Sequence, residues 1–186
     1  MTSPVHRPDP LIWRRARGFT LIELMITLLV LAILVTIALP SFRDLVMNTR
    51  LSTASSELQT AFGQARSEAV TRRLPITVCP SDGANCLTWN NAAVQSVVVF
   101  TDPNATATFT ATDVLKSIEF NAGSLRITTD VTRNFGGNQF IRFNATGMPA
   151  QQGILTICDS RTGSFGRQLQ VFPVGRVEAT KGFTCP

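Results

Sequence analysis

Residues 19–39 form an apolar run of 21 residues that contains a single charged side chain, Glu23. A helix of this length can cross the roughly 30 Å hydrocarbon core of a membrane. Arg14, Arg15 and Arg17 precede the run, and basic residues stay on the cytoplasmic side of a membrane helix. The pattern therefore predicts a membrane-spanning helix, with the chain after Pro40 on the far side of the membrane.

After Pro40 the apolar positions recur at spacings of three and four, which is typical of an amphipathic helix. They are Phe42, Leu45, Val46, Leu51, Ala54, Leu58, Ala61, Phe62, Ala65 and Ala69. We predict one helix over residues 19–73, about 80 Å long at 1.5 Å per residue. Leu74 precedes a proline and ends the helix, and Pro40 is expected to bend or locally unwind it.

Beyond Pro75 the chain alternates short β-rich segments with turn signals. The predicted strands are PITVCP, QSVVVFT, VLKSIEF, SLRITT, QFIRFN, GILTICD, RQLQVFP and GRVEAT. This order predicts an α+β fold, with one long N-terminal helix covering a face of a C-terminal antiparallel sheet. Residues 102–113, DPNATATFTATD, form the predicted mobile loop.

The segment RGFTLIELMITLLVLAILVTIALPSF, residues 17–42, closely resembles the class III signal of type IV pilins and type II secretion pseudopilins. The resemblance implies that a prepilin peptidase cuts after Gly18 and that the new N-terminus, Phe19, is N-methylated. It also matches Pro40 to the proline that loosens the helix in that family. The alternative is an ordinary secretory signal peptide, which has a shorter apolar run and a small-residue cleavage site.

Glu23 matches the glutamate at the fifth mature position of that family. A carboxylate inside a membrane is costly unless it is paired. The resemblance implies that Glu23 attracts the Phe19 amine of a neighbouring subunit and so sets the axial register of a filament. The alternative is an unpaired glutamate that reaches toward the membrane interface.

These observations divide the chain into four parts. Residues 1–18 are the predicted leader, 19–40 the transmembrane half of the helix, 41–74 its amphipathic half, and 75–186 a β-rich globular domain. The resemblance places the chain in the inner membrane of a bacterium, with the domain in the periplasm, and later in a filament. Its implied partners are the prepilin peptidase, other pilins or pseudopilins, and membrane lipid.

A looser resemblance covers most of residues 65–178 and points to the FimT/FimU/GspH group of minor pilins and pseudopilins. It rests on ARSEAVTRRLPITVCPSDGANCLTW, VVVFTD, FNATGMP, LTICD and GRQLQVFPVGRV. The resemblance implies three alternative functions. The first is a minor pilin that initiates or caps a type IV pilus and so supports twitching motility. The others are a DNA-binding minor pilin for transformation and a minor pseudopilin of type II secretion.

FimT-like proteins that bind DNA carry a Gly-Arg-x-Arg motif near the C-terminus. The match here is GRVE, residues 175–178, in which Glu178 stands in place of the second arginine. A carboxylate there repels phosphate, whose neutralisation supplies most non-specific affinity. Three further basic residues would compensate if the fold brought them beside Arg176: Arg161, Arg167 and Lys181. The alternative is an ordinary solvated surface.

The four cysteines, on the non-cytoplasmic side of a membrane, indicate two disulfides. Three pairings are open. We favour Cys79 with Cys86, which closes the loop CPSDGANC, and Cys158 with Cys185, which ties the C-terminal tail to the LTICD strand. A zinc site is the competing interpretation, but the six residues between Cys79 and Cys86 exceed the usual two to four.

Neither catalysis nor a cofactor is expected. The only histidine, His6, lies in the predicted leader, so no Ser-His-Asp or Cys-His nucleophile can form in the processed chain. No glycine-rich phosphate loop follows a strand, and no metal site is indicated. The formal charge of +5 falls to +2 without residues 1–18, which carry four arginines and one aspartate. Charge alone therefore does not indicate nucleic-acid binding.

Overall fold

The computed structural model describes residues 18–89, 94, 96–119, 125–135 and 140–185, with residues 130–134 as backbone alone. The chain divides into two units, Met1–Arg43 and Asp44–Pro186. Of the predicted leader, only Gly18 is described. Arg14, Arg15 and Arg17, which orient the predicted span, lie outside the described residues.

Helix α1 runs over Leu21–Arg72 and contains Pro40 in its interior. The helix is therefore continuous through the proline, and the bend or local unwinding expected at Pro40 stays a prediction. Pro40 has no N–H to donate to the carbonyl of Thr36, and the loss of one donor does not end the helix.

The buried stripe of α1 begins at Leu51 rather than at Phe42. Leu45 and Phe42, which the amphipathic pattern included, are 62% and 63% exposed. From Leu51 onward the buried positions follow the helical period because one face packs on the strands. They are Leu51, Ala54, Ser55, Leu58, Ala61, Phe62, Ala65 and Ala69.

Within the described residues, eight strands follow the helix in the order that the sequence predicts. They are β1 (Ile76–Ser81), β2 (Ser96–Thr101), β3 (Val114–Glu119), β4 (Arg126–Asn134), β5 (Ile141–Phe143), β6 (Gly153–Cys158), β7 (Gly163–Val171) and β8 (Val177–Cys185). All described pairings are antiparallel. The strands form two four-stranded sheets, β3-β2-β1-β5 and β4-β6-β7-β8, where the sequence pattern predicted a single helix-covered sheet.

One core cluster joins the helix to both sheets. Phe62 and Leu58 of α1 belong to the same cluster as Val78 of β1 and Leu155 of β6, and all four are fully buried. A smaller cluster, built around Cys79, Val98 and Phe100, lies on the other face of the first sheet. Because α1 contributes to the shared core, its second half is part of the globular domain.

Two sets of contacts show how β7 and β8 lie along the second half of α1. Arg161, which precedes β7, donates to Asp44 Oδ1 at 3.3 Å and to Asn48 Oδ1 at 2.9 Å. Farther along the helix, a Cβ built on Gly175 would lie 3.0 Å from Arg66 Nε. We name these regions the Asp44 end (Asp44, Asn48 and the turn at residues 159–162) and the Arg66 end (Arg66 and the turn at residues 172–176).

Candidate functional site

Helix α1 begins with Thr20 as its N-cap. Thr20 Oγ1 accepts a hydrogen bond from Glu23 N at 3.2 Å, and Thr20 O accepts one from Leu24 N at 3.2 Å. This Thr-x-x-Glu spacing is that of a capping box. Gly18 and Phe19 precede the helix and are exposed. The peptide bond predicted for cleavage therefore lies in non-helical chain that a peptidase can reach.

The Glu23 side chain is exposed and bears a carboxylate that makes no hydrogen bond or ion pair within the described residues. Its neighbours on the helix are large apolar side chains, from Leu21 at 77% exposure to Leu39 at 52%. None of the most apolar 18-residue window of α1 is buried in the chain. A carboxylate with free acceptor atoms on an apolar surface can pair with an ammonium group of another molecule.

One disulfide joins a strand to the loop that follows it, and the other joins two strands. Cys79 of β1 is bonded to Cys86, which also forms an isolated bridge with Ser81. Cys158, the last residue of β6, is bonded to Cys185, the last residue of β8. This is the pairing that the sequence favours. The second bond fastens the end of β8, an outer strand, across β7 to β6.

A buried charge network involving Asp102 binds the start of the loop at residues 102–113 to the sheet, and the mobility of the loop stays a prediction. Asp102 Oδ2 accepts hydrogen bonds from Thr77 Oγ1 at 2.8 Å and Arg142 Nη2 at 2.7 Å. The Asp102 carboxylate also accepts from the backbone N–H groups of Thr106 and Ala107. Burial acts to raise the pKa of Asp102, but these hydrogen bonds outweigh it and hold the pKa below its ordinary value.

Arg161 forms a second network, which the sequence did not reveal, at the Asp44 end. Its Nη2 and Nε donate to Asp159 Oδ2 at 2.6 and 2.9 Å, in addition to the contacts with Asp44 and Asn48. The guanidinium carbon also lies 4.2 Å from the centre of the Phe165 ring. Burial acts to raise the pKa of Asp159, but hydrogen bonds from Arg161 hold it below its ordinary value.

The candidate DNA-binding residues are divided between the two ends of the domain. Arg161 lies at the Asp44 end, and Arg167 is opposite Lys181 in the β7–β8 ladder. Arg176 lies in the turn of the Arg66 end and forms an ion pair with Glu178 at 2.7 Å. Four to five strand residues, about 15 Å, separate Arg167 from that turn. The fold therefore does not bring the compensating residues beside Arg176.

Within the described residues, no group of three or more His, Cys, Asp or Glu side chains is arranged to hold a metal ion. The four cysteines form two disulfides, and the buried Asp102 and Asp159 form ion pairs with arginines. The features available for function are therefore the unpaired Glu23 on its apolar helix and the exposed surfaces of the domain.

Two family models match the chain. Residues 13–39 match the prokaryotic N-terminal methylation motif. Residues 54–175, about two thirds of the chain, match the family described as type II transport protein GspH. The chain belongs to the GspH family. Together these matches identify a type IV minor pilin or pseudopilin of the GspH/FimT/FimU group.

Relatives of this GspH-family protein include fimbrial protein EcpC of Eikenella corrodens. The two are 37% identical over 122 residues, which cover 61% of this chain and 76% of EcpC. The methylation motif implies processing by prepilin peptidase and assembly with other pilins or pseudopilins.

Solved structures support the fold of the GspH-family protein. The type IV minor pilin FimU of Pseudomonas aeruginosa matches with a TM-score of 0.55 and 21% identity, over 74% of this chain and 93% of that one. A second crystal form of FimU gives a TM-score of 0.53 and 20% identity, over 73% and 97%. These matches confirm the predicted α+β fold, a long apolar N-terminal helix packed on antiparallel sheets.

Proposed function

We propose that this chain is a minor pilin that enters a type IV pilus and helps to initiate or cap the filament. The observation that carries the proposal is the exposed apolar half of α1 with the Glu23 carboxylate on it, which has no partner in the part of the chain that the structure describes. In water such a surface is unfavourable, and about 25 cal/mol is gained for each Å² of apolar area that is covered. Lipid covers it before assembly, and the helices of other subunits cover it afterwards.

Glu23 supplies the specificity of this assembly. Cleavage after Gly18 leaves an ammonium group at Phe19, and the ammonium of a neighbouring subunit pairs with Glu23. At an effective dielectric constant of 20, two such charges 4 Å apart attract by about 4 kcal/mol. Because an unpaired charge in the apolar filament core is costly, only the register that pairs both groups is stable.

The topology follows from the same anchor. The basic residues before the span stay in the cytoplasm, and the domain of residues 75–186, with its two disulfides, lies in the oxidising periplasm. Prepilin peptidase acts at the cytoplasmic face, on the bond between Gly18 and Phe19. The N-methylated subunit then leaves the inner membrane for the filament.

A minor pseudopilin of type II secretion is the second candidate, because the matching family is described as a type II transport protein. The pilus is favoured because EcpC, at 37% identity, is named a fimbrial protein. DNA uptake is not favoured, because Arg176 is paired with Glu178 and lies away from Arg167 and Lys181.

The experiment is a clean deletion of the gene, complemented with the wild-type chain. Surface pili are counted by electron microscopy, and secreted proteins are measured in the same cultures. We expect loss of most pili with normal secretion. Normal pili with a secretion defect would assign the chain to type II secretion and contradict the proposal.

A further inference from the structure

The globular domain contains two Asn-Ala-Thr triplets. Residues 104–106, which we name the Asn104 triplet, follow β2, and residues 144–146, the Asn144 triplet, follow β5. An asparagine followed two positions later by threonine, with any residue except proline between them, is the acceptor sequence for N-glycosylation. Because such triplets also arise by chance, the surroundings of each asparagine decide whether it can accept a glycan.

Asn104 lies at the third position of a β-turn. The N–H of Ala105 donates to the carbonyl of Asp102 at 3.0 Å and closes the turn, and Pro103 occupies the second position, where proline is favoured. Asn104 is exposed, and its side-chain amide makes no hydrogen bond within the part of the chain that the structure describes. Its Nδ2 is therefore open to an approaching reagent.

The Asp102 carboxylate holds the Asn104 triplet on the domain. Asp102 Oδ1 accepts a hydrogen bond from Thr106 N at 2.9 Å, and Oδ2 accepts one from Ala107 N at 3.1 Å. All three residues of the triplet are nevertheless exposed. The triplet is thus presented on a surface loop with a fixed backbone, which is the position expected of a glycan acceptor.

The Asn144 triplet has the same sequence but is closed on itself. Asn144 Oδ1 accepts hydrogen bonds from Thr146 N at 3.0 Å, from Thr146 Oγ1 at 2.6 Å and from Met148 N at 3.0 Å. These bonds would have to break before an enzyme could grip the amide and the hydroxyl of this triplet. The two triplets therefore differ in the freedom of the asparagine side chain, and Asn144 is a control within the same domain.

The Asn104 triplet also borders a place where a sugar ring fits chemically. Asn104 and Thr106 line one open pocket, whose other walls include the hydroxyls of Thr108 and Thr110 and the ring of Phe109. Threonine hydroxyls can exchange hydrogen bonds with sugar hydroxyls, and an aromatic ring offers an apolar surface. The first sugar of a glycan on Asn104 would therefore have polar and apolar contacts beside its point of attachment.

We propose that Asn104 is an N-glycosylation site, modified after the domain has reached the periplasm. The proposal rests on the periplasmic location of the domain in the proposed function. The co-substrate is an oligosaccharide linked through pyrophosphate to a membrane lipid, and the catalyst is an oligosaccharyltransferase. Asn104 Nδ2 forms a bond to the anomeric carbon, the bond from that carbon to the phosphate oxygen breaks, and the electron pair leaves with the lipid pyrophosphate. The proton lost from Nδ2 passes to a base of the transferase.

The threonine hydroxyls of the same loop are the competing acceptors. Thr106 and Thr108 share a hydrogen bond of 2.8 Å between their Oγ1 atoms, and Thr110 shares one of the same length with Thr112. Thr110 Oγ1 also donates to Asp113 Oδ2 at 2.6 Å. Because these hydroxyls are engaged and the Asn104 amide is not, the proposal assigns the glycan to nitrogen, and an O-linked glycan is an outcome for the test to distinguish.

The test is peptide mass spectrometry of the full chain, purified without reduction from its native host. Trypsin cuts after lysine and arginine and releases residues 74–116 as one peptide. This peptide contains Asn104 together with Cys79 and Cys86, so one spectrum reports both the glycan and the disulfide. Electron-transfer fragmentation then assigns the added mass to a single residue.

The variants separate the acceptor sequence from the loop itself. They are made in the native host: Asn104→Gln removes the acceptor, Thr106→Ala removes the third position of the triplet, and Thr106→Ser keeps it. Asn144→Gln, in the closed triplet, is the matched control. Formation of the disulfide in each variant shows that the domain has folded in the periplasm.

We expect a hexose- or hexosamine-containing mass on Asn104 of the wild type. The mass should be absent from Asn104→Gln and Thr106→Ala and retained in Thr106→Ser and Asn144→Gln. Occupancy at Asn144 should be lower than at Asn104 by about tenfold, the factor that corresponds to the net strength of one or two broken hydrogen bonds.

The contrary outcomes are distinguishable. An unmodified Asn104 in a peptide whose disulfide has formed would overturn the proposal and leave the periplasmic location standing. A glycan on a threonine of the loop, or equal occupancy at Asn104 and Asn144, would also overturn it. An unmodified peptide with reduced cysteines would contradict the periplasmic location and the proposal together.

Discussion

Glu23 has different roles for its backbone and its side chain. Its N–H is bonded to Thr20 Oγ1 and so starts the helix, while its carboxylate makes no bond within the described residues. Because Thr20 satisfies the helix terminus, the carboxylate is not needed to cap its own helix. It is therefore available to a partner.

We predict that Glu23→Ala is cleaved and inserted into the membrane but is excluded from filaments. The substitution leaves the Phe19 ammonium of a neighbouring subunit without a partner in an apolar core, which is strongly unfavourable. The measurement is the amount of the variant in sheared surface filaments relative to the membrane fraction. Glu57→Ala, at an exposed position of the same helix, is the control. Equal incorporation of Glu23→Ala would refute the pairing.

The charge of Asp102 contributes to the stability of the domain, because its buried carboxylate forms an ion pair with Arg142. Its pKa is lower in the folded chain than in the unfolded chain, so its stabilising contribution is complete above the unfolded value near 3.8. The contribution is lost as the pH falls through the folded value. Stability should therefore be flat near neutral pH and decrease in acid.

We predict that Asp102→Asn lowers the free energy of unfolding at pH 7 by about 3 kcal/mol, because Arg142 loses its buried partner. The variant should also lose less stability than the wild type on acidification. Urea unfolding of the processed chain in detergent, followed by the fluorescence of Trp89, measures both quantities. Glu57→Gln serves as the exposed control. A variant with the wild-type pH dependence would show that Asp102 is not the titrating group.

Functional residues can be predicted from the sequence when their role depends on neighbouring positions in the chain. The charge of Glu23 within an apolar run and the position of the cysteines are visible in the sequence itself. The partners of Asp102 and Arg161 are not, because they lie far away in the chain and depend on strand register. Arg142 follows Asp102 by 40 positions, and Asp44 precedes Arg161 by 117.

At the scale of elements, the turns that contain Gly147 and Gly175 both pack against α1 at the Arg66 end. Gly175 has φ +77°, and a Cβ there would lie 2.6 Å from Gly147 O and 3.0 Å from Arg66 Nε. Gly182 has a similar φ of +83°, but nothing lies within 4 Å of its Cβ position. The two glycines therefore share a backbone requirement and differ in packing.

We predict that Gly182→Ala costs about 1 kcal/mol, the strain of a left-handed backbone conformation. Gly175→Ala should cost at least about 1 kcal/mol more, because its Cβ collides with the neighbouring turn. The difference between the two variants in urea unfolding isolates the packing of the turn against α1. Equal losses would mean that the turn moves away without penalty.

The period of the apolar positions predicted the helix, and the β-rich segments between turn signals predicted the eight strands of the described residues, but neither showed how the strands are divided between sheets. Alternation within a strand does not say which strand lies beside it. The hydrogen bonds of Thr106 and Ala107 to Asp102 at the start of the loop at residues 102–113 could not be predicted from its composition. Helix α1 continues through Pro40, because one missing donor does not end a helix, and a bend at this residue stays a prediction.

At the scale of the whole molecule, the disulfides join separate parts of the domain. We predict that non-reducing peptide mapping recovers Cys79 linked to Cys86 and Cys158 linked to Cys185. Because the second bond closes a separation of 27 residues, its removal should cost about 3 kcal/mol. A peptide that contains Cys79 bonded to Cys158 would contradict the fold at the end of β8.

We infer that this GspH-family chain is a processed subunit of a surface pilus. The most direct measurement is mass spectrometry of purified, sheared pili, with a search for the peptide that begins at Phe19. We predict that this peptide is present in the pili and carries one methyl group on its N-terminal amine. Detection of the chain only in the inner membrane, or with its leader still attached, would contradict the account.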